Sequence, residues 1–151
     1  MLRILALDGG GIKGAFTASV LATLEREAGR RAADHFDLIT GTSTGGILAI
    51  GLGLGFAAED LLTFYVERGA TIFPSTGLID RPGMIWRWLF SPKHSHTVLK
   101  TELVSILGHR KFGESSTRLV VPTYDAIGGR LFLMKTAEPH RQTYRRQPVV
   151  V

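Results

Sequence analysis

Phe36-Asp-Leu-Ile-Thr-Gly-Thr-Ser-Thr-Gly-Gly-Ile-Leu-Ala-Ile50 reads as a strand, a turn and a helix in immediate succession. The apolar run Phe36 to Thr40 is a short buried strand, and Gly41 to Gly46 is a glycine-rich turn. Ile47 to Leu54 follows as a buried helix whose Gly51 and Gly53 allow close packing while lowering its intrinsic helicity. Upstream, Leu2 to Leu7 is a second apolar run that ends in Asp8 and three glycines, the pattern of a buried parallel strand. Residues 13–28 then carry Phe16, Val20 and Leu24 at helical spacing, with Gly29 as the stop beside Arg30 and Arg31. The order strand, turn, helix, strand, turn, helix makes a right-handed crossover between parallel strands. Both glycine turns then leave the same C-terminal edge of the sheet, where the ligand sites of α/β proteins gather.

Further along, residues 59–68 carry Leu61, Leu62, Tyr65 and Val66 on a helix opened by two acids and closed by Gly69. Residues 70–95 are irregular, with Pro74, Pro82 and Pro92; residues 97–107 repeat Leu99, Leu103 and Ile106 at helical spacing up to Gly108. Leu119 to Tyr124 and Arg130 to Lys135 read as two strands joined by Asp125-Ala-Ile-Gly-Gly129, a hairpin. The chain closes on Pro148-Val-Val-Val151, an apolar run with no terminator.

A length of 151 residues, 44% hydrophobic and 21% charged, describes one ordinary globular domain able to bury a core. The absence of cysteine removes disulfide scaffolds, thiolate zinc sites and cysteine nucleophiles together, and fits a reducing compartment. The longest apolar stretch, Gly45 to Ala58, is shorter than the roughly 20 residues that span a bilayer. The opening residues run straight into Asp8, leaving no room for a signal peptide, so a cytoplasmic location is expected. Residues 1–75 hold 6 Lys and Arg against 8 Asp and Glu, whereas residues 76–151 hold 12 against 5. A basic half attracts phosphate, on nucleic acid or on a lipid surface, or is simply a solvated face. The cations are scattered and no nucleic-acid module is present, so no nucleic-acid partner is expected.

Two motifs carry chemistry. Gly41-Thr-Ser-Thr-Gly45 matches the G-x-S-x-G elbow, in its required setting of strand before and helix after. A serine on a sharp, strained turn needs minimal neighbours two residues either side, Gly41 and Gly45 here, so that strand and helix can approach. Gly9-Gly-Gly-Ile-Lys-Gly14 satisfies G-x-G-x-x-G at the other junction. A dinucleotide loop would require an acid at the end of the second strand, yet Asp34 and Asp37 precede that strand and Ser43 stands at its end. The alternative use of the loop is an oxyanion hole, with the amides of Gly9, Gly10 and Gly11 facing the serine.

Asp8-Gly-Gly-Gly-Ile-Lys-Gly14, followed by Gly41-Thr-Ser-Thr-Gly-Gly46 and later by Val121-Pro-Thr-Tyr-Asp125, resembles the patatin-like phospholipase family from Arg3 to about Lys135. The resemblance implies a three-layer α/β/α fold with a central, mainly parallel sheet, incomplete in this chain. It implies a lipid acyl hydrolase that cleaves acyl esters of glycerophospholipids through an acyl-enzyme on Ser43, with no cofactor. Lys13 holds a position where that family carries a basic residue, suited to orienting an anionic substrate or serving as a helix-start surface charge. Peripheral contact with a membrane surface goes with such a substrate; the oligomeric state is open.

The chain departs from the family at the general base. Patatin-like enzymes pair their serine with an aspartate in a late Asp-Gly-Gly or Asp-Gly-Ala turn, and no Asp after Asp8 precedes a Gly here. Residues 1–151 are therefore expected to be a single patatin-like domain cut before the aspartate segment, weak or inactive alone. The alternatives are a non-catalytic lipid- or phosphate-binding fragment, or an esterase built on Ser43, Asp125 and His140 in α/β-hydrolase chain order. Asp8 is expected to order its loop through backbone amides. His94 and His96 flank Ser95 without a carboxylate cluster, so no metal site is expected. Met84-Ile-Trp-Arg-Trp-Leu-Phe90 with Lys93 is either an interfacial loop or, the favoured reading, tryptophans over the core with cations turned outward.

Overall fold

The computed structural model describes residues 1–72, 95–125 and 127–136. The 84–90 aromatic stretch, Lys93, His94 and His140 lie outside them. Within the described residues the chain runs β1 (Ile4–Leu7), α1 (Gly14–Ala28), β2 (Leu38–Gly41), α2 (Thr44–Gly53), α3 (Ala58–Ile72), α4 (Ser95–Leu107), β3 (Arg118–Asp125) and β4 (Arg130–Lys135). The four strands form one sheet in the order β1-β2-β3-β4, with β1, β2 and β3 parallel and β4 antiparallel to β3. The α/β class with a mainly parallel sheet is as expected.

Register brings Leu5, Ile39 and Leu119 into one row, and Leu7, Gly41 and Val121 continue the same face. Helix α2 packs on all three parallel strands and touches α1 and α3. The buried side chains of the helices and of this sheet face form one core, which includes Leu21, Ile39, Leu48, Leu52, Leu61 and Leu119. Strands added in sequence order through right-handed crossovers carry every connection over the same face. Consistent with that rule, Ile4, Tyr124, Leu131 and Leu133, which the register places on the opposite face, are exposed. The described helices thus supply one of the two layers that the three-layer expectation calls for.

Helix α1 inverts its sequence pattern. Phe16, Val20 and Leu24, the residues that signal the helix, are 75%, 44% and 57% exposed, while Gly14, Ala18, Leu21 and Ala22 are buried. The cause is the close approach of α3: a Cβ on Gly14 would stand 3.1 Å from the Tyr65 ring. Only the small-residue face fits that gap. Gly29, at φ 63°, ends the helix in the left-handed conformation that glycine adopts without strain.

Other boundaries shift for similar reasons. β1 begins at Ile4 rather than Leu2, and β2 at Leu38 rather than Phe36. Before β2, the Arg3 amide donates to Asp37 Oδ2 at 2.7 Å and the Arg3 carbonyl accepts from Asp37 N at 2.9 Å. Gly69 does not stop α3; the Ile12 side chain lies against it, and the helix continues to Ile72.

One carboxylate joins three segments. Glu25, in the last turns of α1, accepts from the Ala32 amide at 2.7 Å and from the Ala58 amide at 2.9 Å. Its side chain is only 10% exposed and also faces Arg31 at 3.9 Å. Glu25→Ala removes the acceptor of two part-buried amides and should lower stability by about 2 kcal/mol. Urea unfolding should show this as a lower midpoint at unchanged m-value.

Candidate active site

The site grows from the end of β2. Leu7 is paired with Gly41, and past them the Thr42 amide donates to the Leu7 carbonyl at 3.3 Å. Ser43 comes next at φ 53°, ψ −125°, the one non-glycine with positive φ among the described residues. Such a conformation costs a non-glycine residue about 1–3 kcal/mol and persists only where the surroundings enforce it. The enforcement is visible. A Cβ on Gly41 would overlap the Gly45 carbonyl, and a Cβ on Gly45 would overlap the Leu7 carbonyl. Strand end, turn and helix start are thus pressed backbone against backbone. Helix α2 begins at Thr44, earlier than expected, because Gly45 N donates to Thr42 O while Gly46 N and Ile47 N donate to Ser43 O.

Ser43 is exposed at the sheet edge, at the N-terminus of a ten-residue helix. Its own amide and that of Thr44 donate to no protein acceptor among the described residues, leaving two oriented N–H groups at the positive end of the helix dipole. The glycine turn from β1 lies directly alongside: a Cβ on Gly9 would stand 2.7 Å from Ser43 Cβ. Gly11 takes φ 60°, and a three-residue 3-10 turn, Gly11–Lys13, leads into α1. Gly10 differs from its neighbours, because its amide donates to Thr44 Oγ1 at 3.1 Å. Thr44 is 1% exposed, and its carbonyl accepts from the buried Tyr65 hydroxyl at 3.1 Å. Burial pushes the Tyr65 hydroxyl pKa well up, so this donor keeps its proton.

The profile of the patatin-like phospholipase family matches residues 5–149. The chain belongs to the patatin-like phospholipase family. Among curated relatives it is 40% identical over 142 residues to a cGAMP-activated phospholipase of Pseudomonas aeruginosa, 94% of this chain and 41% of that protein. It is 37% identical over 139 residues to Patatin-like protein 4 of Arabidopsis thaliana, 83% of this chain and 34% of that protein. A cGAMP-activated phospholipase of Escherichia coli is 33% identical over 153 residues, covering 96% and 42%. The chain therefore spans less than half the length of these curated patatin-like relatives.

Within this patatin-like chain, the sequence-predicted residues Ser43, Gly41, Gly45, Gly9, Gly10, Gly11 and Lys13 come together at one edge. Lys13 is exposed, with its stem over Gly10, where a Cβ would stand 3.3 Å from Lys13 Cβ. Asp125 does not join them. Level with Gly41 on β3 is Val121, so Asp125 lies four residues beyond, about 13 Å along the strand. Its Oδ1 accepts from the Ile127 and Gly128 amides at 3.1 and 2.9 Å, and its Oδ2 pairs with Arg130 at 3.4 Å. These bonds, the Gly128 amide foremost, hold its carboxyl below the usual 3.8. The carboxylate thus closes its own hairpin.

Asp8 is exposed and its carboxylate accepts no hydrogen bond among the described residues; the loop's Gly10 amide bonds Thr44 instead. The described residues hold no group of three His, Cys, Asp or Glu side chains able to share a metal ion. No described helix is long and apolar enough to cross a membrane. Two shallow hollows, of about 360 and 440 Å³, lie away from Ser43. The first is at the opposite sheet edge, lined by Asp34, Asp37 and Arg118 among others. Sequence reasoning missed Thr44 and Tyr65. Thr44 had a usable signal, a hydroxyl beside the serine of a glycine turn; Tyr65 had none, since a fold-dependent contact brings it there.

Ser43→Gly should relieve the positive-φ strain and raise stability by about 1 kcal/mol, whereas Ser43→Ala keeps the strain and should leave stability nearly unchanged. Parallel urea titrations separate the two. Gly45→Ala, forced onto the Leu7 carbonyl, should instead abolish cooperative unfolding. An NMR pH titration should find Asp125 protonating below 3.8. Because its folded value is depressed, its stabilising effect is present above the unfolded-state value and is lost as pH falls through the folded one.

Proposed function

We propose that the chain carries the nucleophile and the oxyanion-binding groups of a serine lipid acyl hydrolase of the phospholipase A type. The observation that supports this best is Ser43 itself: an exposed serine held in a strained turn, at a helix N-terminus, with a glycine loop against its Cβ. In this reading Ser43 Oγ attacks the carbonyl carbon of an acyl ester and loses its proton to a base. The ester oxygen then leaves as an alcohol, taking a proton, and an acyl-enzyme remains. Water attacks the acyl-enzyme, releases the carboxylic acid and restores the hydroxyl. The developing oxyanion in both steps is met by amides of Gly9 and Gly11 and by those at the start of α2. Lys13 beside the loop suits the phosphate of a glycerophospholipid, and the protein meets that substrate at a membrane surface from the cytoplasmic side.

Among the described residues the base is the missing part. The Ser43 hydroxyl has no hydrogen-bond partner among the described residues, and Asp125 is committed to its hairpin. A serine without a base is a poor nucleophile at neutral pH, so turnover by residues 1–151 alone is slow. The same observation favours a second reading, in which the chain binds lipid or phosphate at the glycine loop without cleaving it.

Incubation with a fluorophosphonate, read as intact mass, separates the two. The expected result is a single, slowly formed adduct on the wild type, none on Ser43→Ala, and only slow fatty-acid release from phosphatidylcholine vesicles. Equal labelling of Ser43→Ala sinks the nucleophile assignment. Saturable vesicle binding with no adduct supports the binding reading instead.

A further inference from the structure

Three consecutive glycines give the 9–11 turn more backbone freedom than any other part of the site, and freedom is the wrong property for an electrostatic cradle. Amides that stabilise a transition state must already point at it, so something has to fix them. Asp8, the polar residue adjoining the turn, makes no hydrogen bond with its side chain among the described residues. The link that does exist is Gly10 N to Thr44 Oγ1, 3.1 Å, between residues 34 apart in sequence. It fastens the turn preceding α1 to the first residue of α2, the residue next to Ser43.

Thr44 is itself immobilised. Its side chain is buried, its carbonyl accepts from Tyr65 on α3, and Gly14 at the start of α1 packs against both: a Cβ there would stand 3.3 Å from Thr44 Cβ and 3.1 Å from the Tyr65 ring. Three helices therefore converge on one threonine. The Gly10 amide, spent on Thr44, is withdrawn from the surface that faces Ser43. The neighbouring Gly9 and Gly11 amides have no competing protein acceptor among the described residues.

We propose that Thr44 is a positioning residue for the acyl-transfer site: through Oγ1 it sets the register of the glycine turn against Ser43, with Tyr65 bracing it from α3. The inference deepens the nucleophile reading above and rests on it. Thr44 touches no reacting atom in this role; it decides which glycine amides are free and where they point.

Thr44→Val keeps the shape and removes the acceptor, and Thr44→Ser keeps the acceptor. Fluorophosphonate inactivation kinetics, resolved into binding (KI) and reaction (kinact), should show kinact falling about tenfold to a hundredfold in Thr44→Val with KI unchanged, since a misplaced oxyanion donor costs up to about 10²–10³. Thr44→Ser should restore kinact to within about threefold of wild type, a rescue that mere packing would not produce. Hydrogen exchange should find the Gly10 amide protected in wild type and Thr44→Ser, and unprotected in Thr44→Val. If Thr44→Val does not fold, Tyr65→Phe carries the test, with a smaller drop in kinact at unchanged KI. Wild-type kinact in Thr44→Val, or in Tyr65→Phe where that variant stands in, overturns the inference. A wild type that forms no adduct overturns the nucleophile reading; a Gly10 amide equally exposed in wild type and Thr44→Val overturns the clamp independently.

Discussion

Everything at the candidate site depends on a contact that has no side chains in it. The end of β1, the end of β2 and the first turn of α2 meet as bare backbone, with Gly41 against the Gly45 carbonyl and Gly45 against the carbonyls of Leu7 and Asp8. One methyl group at either glycine would push strand and helix apart. With the approach in place, the chain has too little length to pass from β2 into α2 except through a tight turn, and Ser43 takes the positive φ that results. The serine's exposure and its seat at a helix N-terminus both follow from that approach. So does the nearness of the Gly9 turn, since Leu7 is the strand end against which Gly45 is packed. Local strain is here the product of a global fit, which is the usual way for such strain to survive.

Much of this was legible from spacing. Two apolar runs, each ending in a glycine turn and followed by helical periodicity, define parallel strands, and parallel strands place their exits at one edge. What was not legible has a common cause. Start points of elements were misjudged where a backbone group found a partner from another segment, as when Arg3 and Asp37 exchange hydrogen bonds ahead of β2. Tyr65 came into view only with the fold, because its bond to the Thr44 carbonyl spans 21 residues, and the partner of the Thr44 hydroxyl lies 34 residues away. Asp125 shows the reverse error. Its position at a strand end makes it look available, yet backbone amides two and three residues on claim one oxygen and Arg130 the other. Availability of a carboxylate is a matter of competing donors, and a one-dimensional pattern does not show them.

The two ends of the sheet divide the work. At the N-terminal edge, Asp37 takes the Arg3 amide, Arg118 reaches the Asp37 carbonyl, and Thr117 bonds the Ala33 carbonyl. These links join β1, β2 and β3 where no chemistry is proposed. At the C-terminal edge β1 and β2 run out into glycine turns that carry an exposed hydroxyl and free amides. A rigid end and a permissive end in one sheet allow a strained turn to be held without a side chain having to intrude on it.

Helix α1 also changes what counts as a conservative replacement. Its bulky residues, Phe16, Val20 and Leu24, look outward, and its alanines and Gly14 hold the seam with α3. In a survey of sequence variants, trading Phe16 for a polar residue would be quiet, while lengthening Ala18 by a few carbons would be loud. A hydrophobicity scale would rank the two the other way round. For this helix, tolerance is governed by the width of a gap and not by the greasiness of a side chain, and a library built to diversify the protein should leave its smallest residues alone.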